Sequence, residues 1–179
     1  MNYKAVIVIL NYNDKKVTEK LARQLLEYFC LERIVIVDNS STDDSFEYLK
    51  NAFHRTELDV IKTRKNGGYA KGNNFGIKYA IEHYKPDCIF VANPDISVSE
   101  ETIINLMETM ECYLDFGILA PIVNQGYNVW KLPGFIGMIE SLFLVWFNLH
   151  KRSIKKKLLK SRQSVEAVGV VEGSLETLS

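Results

Sequence analysis

The sequence has few cysteines and none of the closely spaced pairs that bind zinc or form redox centres. Its three cysteines, Cys30, Cys88 and Cys112, are far apart and stand among apolar residues. We therefore expect buried free thiols in a reducing cytoplasm. The three histidines are equally scattered, which argues against a metal site built from histidine.

An excess of charge and a secretory leader are also missing. The formal net charge is +0 over 179 residues, which argues against a nucleic-acid-binding protein. Met1 leads directly into a strand-like run, with neither the basic segment nor the cleavage site of a signal peptide. A chain of this length can bury one good core, and we expect a cytoplasmic protein.

A third absence concerns the first connection between a strand and a helix. The β-branched run "YKAVIVIL" (3–10) is typical of a strand buried on both faces of a parallel sheet. The turn after it, 11–14, contains no glycine, whereas a dinucleotide fold has GxGxxG there and a P-loop has GxxxxGK[ST]. Both kinds of phosphate-binding loop are therefore excluded, and a nucleotide would be held in another way.

Buried strands and amphipathic helices alternate along the first two thirds of the chain. Strands are expected at 3–10, 33–38, 58–63 and 87–93, and helices at 17–29, after "NSSTDDS", at 69–83 and within 99–114. Ser41 and Asp44 resemble a loose capping box for the second helix, and Ser99 is the expected cap of the fourth. The alternation predicts an α/β fold with an open, mostly parallel sheet and right-handed crossovers.

Ligands of such sheets bind where the strands end, and the residues there are polar, small or acidic. Asp38 could accept hydrogen bonds from a pyrimidine imide while Tyr12 packs on the base, or it could simply cap a helix. Asn93 and Asp95, on either side of Pro94, could ligate Mg²⁺ or Mn²⁺ together with a diphosphate. The same tripeptide is also an ordinary turn, so both alternatives stay open.

The stretch 64–80, "RKNGGYAKGNNFGIKYA", has four glycines and three asparagines and runs straight into a helix. A flexible surface loop would explain the glycines but not the asparagines. We favour ligand binding, in which the glycines Gly67, Gly68 and Gly72 let the backbone approach a flat ligand. The asparagines would supply hydrogen-bond donors and acceptors at its edge.

Together these segments resemble family 2 inverting glycosyltransferases of the GT-A fold, especially the rhamnosyltransferase-like branch that builds bacterial surface polysaccharides. The matching stretches are "VIVILNYND", "IVIVDNSSTDDS", "NGGYAKGNNFGIKYA" and "VANPDI". The resemblance implies binding of a nucleotide-diphosphate sugar, dTDP- or UDP-linked. The donor-binding residues that it implies are Asn11, Tyr12, Asp38, Asn66, Gly67, Gly68, Asn74 and Asn93. Asp95 would hold the divalent metal, Mg²⁺ or Mn²⁺, in the place of the family's DxD motif.

The resemblance also implies a carboxylate base that deprotonates an acceptor hydroxyl. The segment 165–179 resembles the strand that precedes this base, but the acidic motif E-D-x-D is absent, and Glu172 and Glu176 are expected to be structural. We therefore expect 1–119 to be the donor-binding core and 120–179 a partial acceptor-side region, truncated before the base. The alternative is a non-catalytic binding or partner subunit. A sugar-nucleotide pyrophosphorylase is set aside, because that class of enzyme needs a glycine-rich, basic loop after the first strand. The turn 11–14 of this sequence is neither glycine-rich nor basic.

The segment 135–162 combines an apolar stretch with a basic run. The apolar part, 135–149, is shorter than the roughly 20 residues that span a bilayer, and seven Lys or Arg against three Asp or Glu follow in 151–179. This pattern predicts peripheral contact with an anionic membrane surface on the inner face of the cell membrane, close to lipid-linked or polysaccharide acceptors. The alternative is a helix packed in the core or in a homodimer interface.

Overall fold

The computed structural model describes residues 4–112, 118–119, 121, 129–130, 170–171 and 175–178. The chain divides into two compact units, Met1–Pro121 with Ser174–Ser179, and Ile122–Gly173. The segment 135–162 and the residue Glu172 lie outside the described residues, so the expectations for them stay predictions. In the described part, no helix is long and apolar enough to cross a membrane.

As far as residue 112, the described elements follow the predicted alternation of strands and helices. In chain order they are β1 (Ala5–Asn11), α1 (Lys15–Leu25), β2 (Arg33–Asp38), α2 (Ser45–Ala52), β3 (Leu58–Lys62), α3 (Tyr69–Tyr84), β4 (Cys88–Ala92), α4 (Glu100–Cys112), β5 (Ile118–Leu119), β6 (Val129–Trp130), β7 (Val170–Val171) and β8 (Leu175–Leu178). β6 and β7 form a two-stranded antiparallel sheet in the second unit. All other elements belong to the first unit.

The main sheet has the order β3-β2-β1-β4-β8-β5. The first four strands in this order are parallel, which confirms the expected open, mostly parallel sheet. Asn11 pairs with Asp38, and Asp38 pairs with Lys62, so β1, β2 and β3 end level with one another. β8 runs antiparallel between β4 and β5, with Leu175 opposite Ala92.

The helices pack on both faces of this sheet. α1, α2 and α4 cover one face through Leu21, Leu49 and Ile103, which join the alternate residues Ile7 and Ile9 of β1 in one apolar cluster. α3 covers the other face, which includes Val6, Val8 and Leu10 of β1. From β1 the chain adds β2 and then β3 on one side of the sheet. α3 then crosses the opposite face and leads to β4, which pairs with the other side of β1. Strand order reverses between β1 and β4, where open α/β sheets bind ligands.

Two glycines bring α3 into close contact with the sheet. A Cβ on Gly76 would lie 2.5 Å from Val8 Cγ1 and 2.6 Å from Val37 Cγ2, and one on Gly72 would lie 2.5 Å from Leu10 Cδ1. Gly72 therefore serves close packing on the sheet, and its expected approach to a ligand stays a prediction. Both glycines let the helix backbone lie directly on β1 and β2.

Three local expectations require correction. Phe29 is 98% exposed rather than part of a buried helical face, because α1 ends at Leu25. Ser41 and Asp44 do not form a capping box: α2 begins at Ser45, whose backbone N–H donates to Asp43 Oδ1 at 3.0 Å. Cys112 is exposed, while Cys30 is half-buried and Cys88 buried.

Other local expectations are confirmed. Ser99 caps α4, since its Oγ accepts a hydrogen bond from the Thr102 backbone N–H at 3.2 Å. All three thiols are free. Burial, with Glu100 nearby, raises the pKa of Cys30 to about 12, and burial raises the pKa of Cys88 to about 11. Neither thiol is therefore ionised at neutral pH, as a nucleophile or metal ligand has to be.

We expect Gly76→Ala to destabilise the protein although alanine is the better helix former. Overpacking against two stiff valines should cost about 1–3 kcal/mol, more than the roughly 1 kcal/mol gained in helix propensity. Urea unfolding followed by circular dichroism measures the difference. Lys78→Ala, on the exposed side of the same helix, is the control and should change the free energy of unfolding by less than about 0.5 kcal/mol. A more stable Gly76→Ala protein would contradict the packing argument.

Candidate functional site

Four connecting segments follow the neighbouring strands β1, β2, β3 and β4 at one edge of the sheet. We call this edge, formed by 11–14, 38–42, 63–68 and 93–95, the strand-end site. It contains eight of the nine predicted site residues, and the ninth, Asn74, lies near the start of α3. Side chains of adjacent segments bond to one another, so the site is built largely by its own polar residues.

Asn11 is the central residue of this network. It is fully buried at the end of β1. Its Nδ2 donates to Asp38 Oδ2 at 2.9 Å and to Ser41 Oγ at 3.3 Å, while its Oδ1 accepts from Thr18 Oγ1 at 2.8 Å. Asn11 therefore ties β1, the β2 loop and α1 together. Its side chain lies beneath the strand-end site, where it fixes the surrounding loops and does not face solvent.

Asp38 is also fully buried, and both of its oxygens are used inside the chain. Oδ2 accepts from Asn11 and Oδ1 accepts from the Ser41 backbone N–H at 3.0 Å. Asp38 does not cap a helix, because α2 begins at Ser45 without a side-chain cap. Its described contacts instead shape the turn after β2. A direct contact between Asp38 and a base stays a prediction.

Tyr12 stands between two anchored asparagines. Asn13 has a left-handed backbone, with φ at 55°, a conformation that asparagine tolerates better than most residues. Its Oδ1 accepts from the Thr42 backbone N–H at 2.8 Å and its own backbone N–H donates to Ser41 Oγ at 2.9 Å. Tyr12 itself is 44% exposed. The Tyr12 ring is thus exposed, while the residues on both sides of it are fixed by hydrogen bonds.

Asn39, which was not predicted as a site residue, connects β2 to the glycine-rich loop. Its Nδ2 donates to Asn66 Oδ1 at 3.1 Å and to the Gly68 carbonyl at 3.3 Å. Its Oδ1 accepts from Thr63 Oγ1 at 3.2 Å. No periodicity or spacing could reveal this role, because all three partners come from the segment after β3.

The glycine-rich loop ends at the start of α3. Asn66 Oδ1 also accepts from the Gly68 backbone N–H at 2.9 Å, and Gly68 has φ at 84°, which favours glycine. Gly68 precedes α3 without any side-chain cap, and no acidic residue lies in the first turn. The exposed cations Arg64 and Lys65 precede this helix start and Lys71 lies in its first turn. None of the three has an ion-pair partner among the described residues.

Asn93 and Asp95 follow β4, on the other side of β1. Asp95 is exposed, and no residue between 4 and 112 donates a hydrogen bond to its carboxylate. No three Asp, Glu, His or Cys side chains come together as metal ligands in the described part of the chain. A single free carboxylate beside Asn93 fits Mg²⁺ or Mn²⁺ shared with substrate phosphates, which is how Mg²⁺ is usually bound.

A model of glycosyl transferase family 2 matches residues 6–164 of the chain. The chain belongs to this family. The match includes β1 to α4 and hence all four segments of the strand-end site. It confirms the resemblance drawn from the four sequence stretches.

Two characterised relatives are similar to this glycosyl transferase family 2 chain. The low-salt glycan biosynthesis hexosyltransferase Agl10 of Haloferax volcanii is 28% identical over 120 residues, which are 66% of this chain and 36% of Agl10. The dTDP-rhamnosyl transferase RfbF of Shigella flexneri is 26% identical over 159 residues, which are 88% of this chain and 47% of RfbF. The chain thus spans between about a third and a half of the length of these relatives.

A solved structure supports the expected fold. The mannosyltransferase PcManGT from Pyrobaculum calidifontis, in complex with GDP-Man and Mn²⁺, is similar with a TM-score of 0.52 and 16% sequence identity. The similarity covers 75% of this chain and 36% of PcManGT. At this identity it concerns the fold alone, and it confirms a GT-A arrangement of a mostly parallel sheet flanked by helices.

We expect Asn11→Leu to destabilise the protein strongly. The substitution leaves the buried Asp38 Oδ2 without its donor and the Thr18 hydroxyl without its acceptor, which together should cost about 3 kcal/mol. Thermal and urea unfolding measure the loss. The matched control is Asn51→Leu on the exposed side of α2, which should stay within about 0.5 kcal/mol of the wild-type protein. Equal stability of the two variants would show that Asn11 does not anchor the site.

Proposed function

We propose that this chain binds a nucleotide-diphosphate sugar at the strand-end site and forms the donor-binding part of a glycosyltransferase. The observation that carries the proposal is the placement of Tyr12, the glycine-rich loop and Asp95 at one sheet edge, within a family of glycosyl transferases. An exposed ring, unpaired cations and a free carboxylate there match the three parts of such a donor: base, diphosphate and metal.

The base would pack on Tyr12, whose ring is exposed while its neighbours Asn11 and Asn13 are bonded to the β2 loop. Stacking on a ring whose backbone is already ordered costs little further entropy. Gly67, Gly68, Asn66 and Asn74 would line the ribose and base pocket, with Asn39 holding the loop in place.

The diphosphate would be attracted by the start of α3. An uncapped helix start carries a partial positive charge, and Arg64, Lys65 and Lys71 add cations that no described carboxylate neutralises. Asp95 and Asn93 would hold the divalent cation, Mg²⁺ or Mn²⁺. When bound, that cation supplies charge neutralisation for the departing nucleoside diphosphate. The Mn²⁺ in the PcManGT complex supports this assignment.

We further propose rhamnose from dTDP-rhamnose as the transferred sugar, with UDP-linked sugars as the alternative, and inversion at the anomeric carbon. The support is the name of the relative RfbF, a dTDP-rhamnosyl transferase, and the Asn-Pro-Asp sequence after β4. The acceptor would be a growing surface polysaccharide or a lipid-linked sugar. No residue of this chain is assigned as the catalytic base.

The second candidate is a nucleotide-sugar-binding subunit without turnover. Such a subunit would bind the donor through the same strand-end site and would need no catalytic base. Binding of a donor with neither transfer nor hydrolysis of the sugar would support it.

Calorimetric titration of dTDP and UDP, with and without Mn²⁺, tests the proposed donor site. We expect binding that Mn²⁺ strengthens about tenfold or more, because the cation links Asp95 to the phosphates. Asp95→Ala should remove the effect of Mn²⁺. The matched control is Asp87→Ala, because Asp87 is also exposed but precedes β4 at the opposite edge of the sheet.

Unchanged Mn²⁺ dependence in Asp95→Ala would refute the metal assignment. No binding of either nucleotide under any condition would refute the donor-site proposal as a whole.

The segment 135–162 is proposed to contact an anionic membrane surface, on the basis of its sequence. Cosedimentation with vesicles of anionic lipid should exceed that with neutral vesicles, and replacing Lys155, Lys156 and Lys157 by Gln should reduce it, since each cation contributes about 1 kcal/mol. The matched control replaces Lys16, Lys20 and Lys50 of α1 and α2 by Gln. Equal sedimentation with both vesicle types would end the membrane proposal and leave core packing or a homodimer interface.

A further inference from the structure

Asn73 is a buried polar side chain that the rest of the described chain does not satisfy. It is only 5% exposed, and its side-chain oxygen Oδ1 is buried without a hydrogen-bond partner. A buried polar atom without a partner opposes folding, and native proteins retain few of them without a reason. No described residue supplies a partner for this oxygen, which leaves it available to a ligand.

The position of Asn73 connects it to the strand-end site. It follows Gly72, where an added Cβ would lie 2.5 Å from Leu10 Cδ1 and 3.2 Å from Asn39 Cγ. Leu10 and Asn39 stand at the carboxyl ends of β1 and β2. This level of α3 therefore borders the same edge as Tyr12 and the glycine-rich loop. Asn74, the next residue, is exposed.

The other two unpartnered atoms in the described part of the chain have a different setting. Arg33 Nε lies at the start of β2, at the opposite edge of the sheet, and the same guanidinium donates from Nη1 to the Thr56 carbonyl at 2.5 Å. Ser45 Oγ belongs to the first residue of α2, and a hydroxyl can rotate to suit its surroundings. Asn73 is thus the unpartnered amide that adjoins the site.

We propose that Asn73 is a specificity-determining residue of the donor site, whose Oδ1 accepts a hydrogen bond from the nucleoside. The partner is either the 3′-hydroxyl of the nucleoside sugar or the imide N–H of the base, which share the chemistry of a neutral donor. This inference rests on the proposed nucleotide-binding function. The terminal torsion of asparagine is broad, so the amide can turn toward the ligand without movement of the backbone.

Because no described residue bonds to it, this oxygen can be selective. It gives up no hydrogen bond inside the protein when it accepts one from the ligand, so the full gain appears in binding. A nucleotide without the matching donor leaves the oxygen unpaired, and a site with an unpaired buried polar group discriminates strongly against such analogues.

Asn73→Leu tests the proposal because leucine keeps the branched shape and removes the oxygen. Two quantities are measured: the melting temperature without nucleotide, and the affinity for dTDP and UDP by calorimetry. We expect the melting temperature to stay equal or to rise, and the affinity to fall at least fivefold. Asn51→Leu, on the exposed side of α2, should change neither quantity.

Two nucleotide analogues distinguish the possible partners. For whichever of dTDP and UDP binds the wild-type protein more tightly, one analogue lacks the 3′-hydroxyl and the other carries a methyl group on the imide nitrogen N3. The analogue that lacks the recognised donor should bind the wild-type protein at least fivefold more weakly than the parent nucleotide. The same analogue should lose almost no further affinity in Asn73→Leu.

Each result decides something different. A lower melting temperature of Asn73→Leu would mean that the oxygen is satisfied in solution, and the proposal would be overturned whatever the affinity. Equal affinity of wild-type protein and variant would overturn the role of Asn73 and leave the donor site intact. A wild-type protein that binds neither nucleotide would overturn the proposed function itself, and the role of Asn73 with it.

Discussion

The strand-end site depends on one buried contact, the hydrogen bond from the Asn11 amide to the Asp38 carboxylate. Both residues are fully buried at the ends of adjacent strands. A buried carboxylate is tolerated only when donors surround it, and here Asn11 and the Ser41 backbone are those donors. The contact therefore requires the loops after β1 and β2 to keep one arrangement. Tyr12 is presented to solvent because its neighbours on both sides are held in this way.

The glycine-rich segment has two roles that its composition alone does not separate. Gly72 and Gly76 let α3 lie directly on β1 and β2, so they serve packing. Gly68 has a positive φ, which favours glycine, and precedes the helix without a side-chain cap. The positive start of the helix therefore lies near unpaired cations. The close approach of α3 to the sheet also brings Asn73 to the edge where the ligand is proposed to bind. Packing and the proposed recognition are thus linked through one helix.

The end of β4, which precedes Asn93 and Asp95, is supported by a strand from the far end of the sequence. Leu175 of β8 pairs with Ala92, the last residue of β4. The proposed metal-binding carboxylate therefore follows a strand that has neighbours on both sides, β1 and β8. Because an interior strand is held by two ladders of hydrogen bonds, its end is a firmer support for a ligand than an edge strand would be.

By itself, the sequence determined the strands β1 to β4, the presence of the helices α1 to α4, and the family. β-branched runs bury both faces of a parallel strand and leave a local signal, and β2 has the very bounds, Arg33–Asp38, that its pattern predicts. The four polar segments after the strands carried the family resemblance. The ends of helices were harder to predict. The apolar spacing continues to Phe29, but α1 ends at Leu25.

Only the tertiary structure decided which polar residues face inward. The identity of Asn11 and Asp38 does not reveal whether these residues lie in an exposed loop or in the core. Their burial follows from the register of β1 against β2. The links from Asn39 to Asn66 and from β4 to β8 join segments that are distant in sequence, so no local pattern contains them. The buried, unpaired oxygen of Asn73 likewise appears only after α3 has packed on the sheet, because burial is a property of the assembled fold.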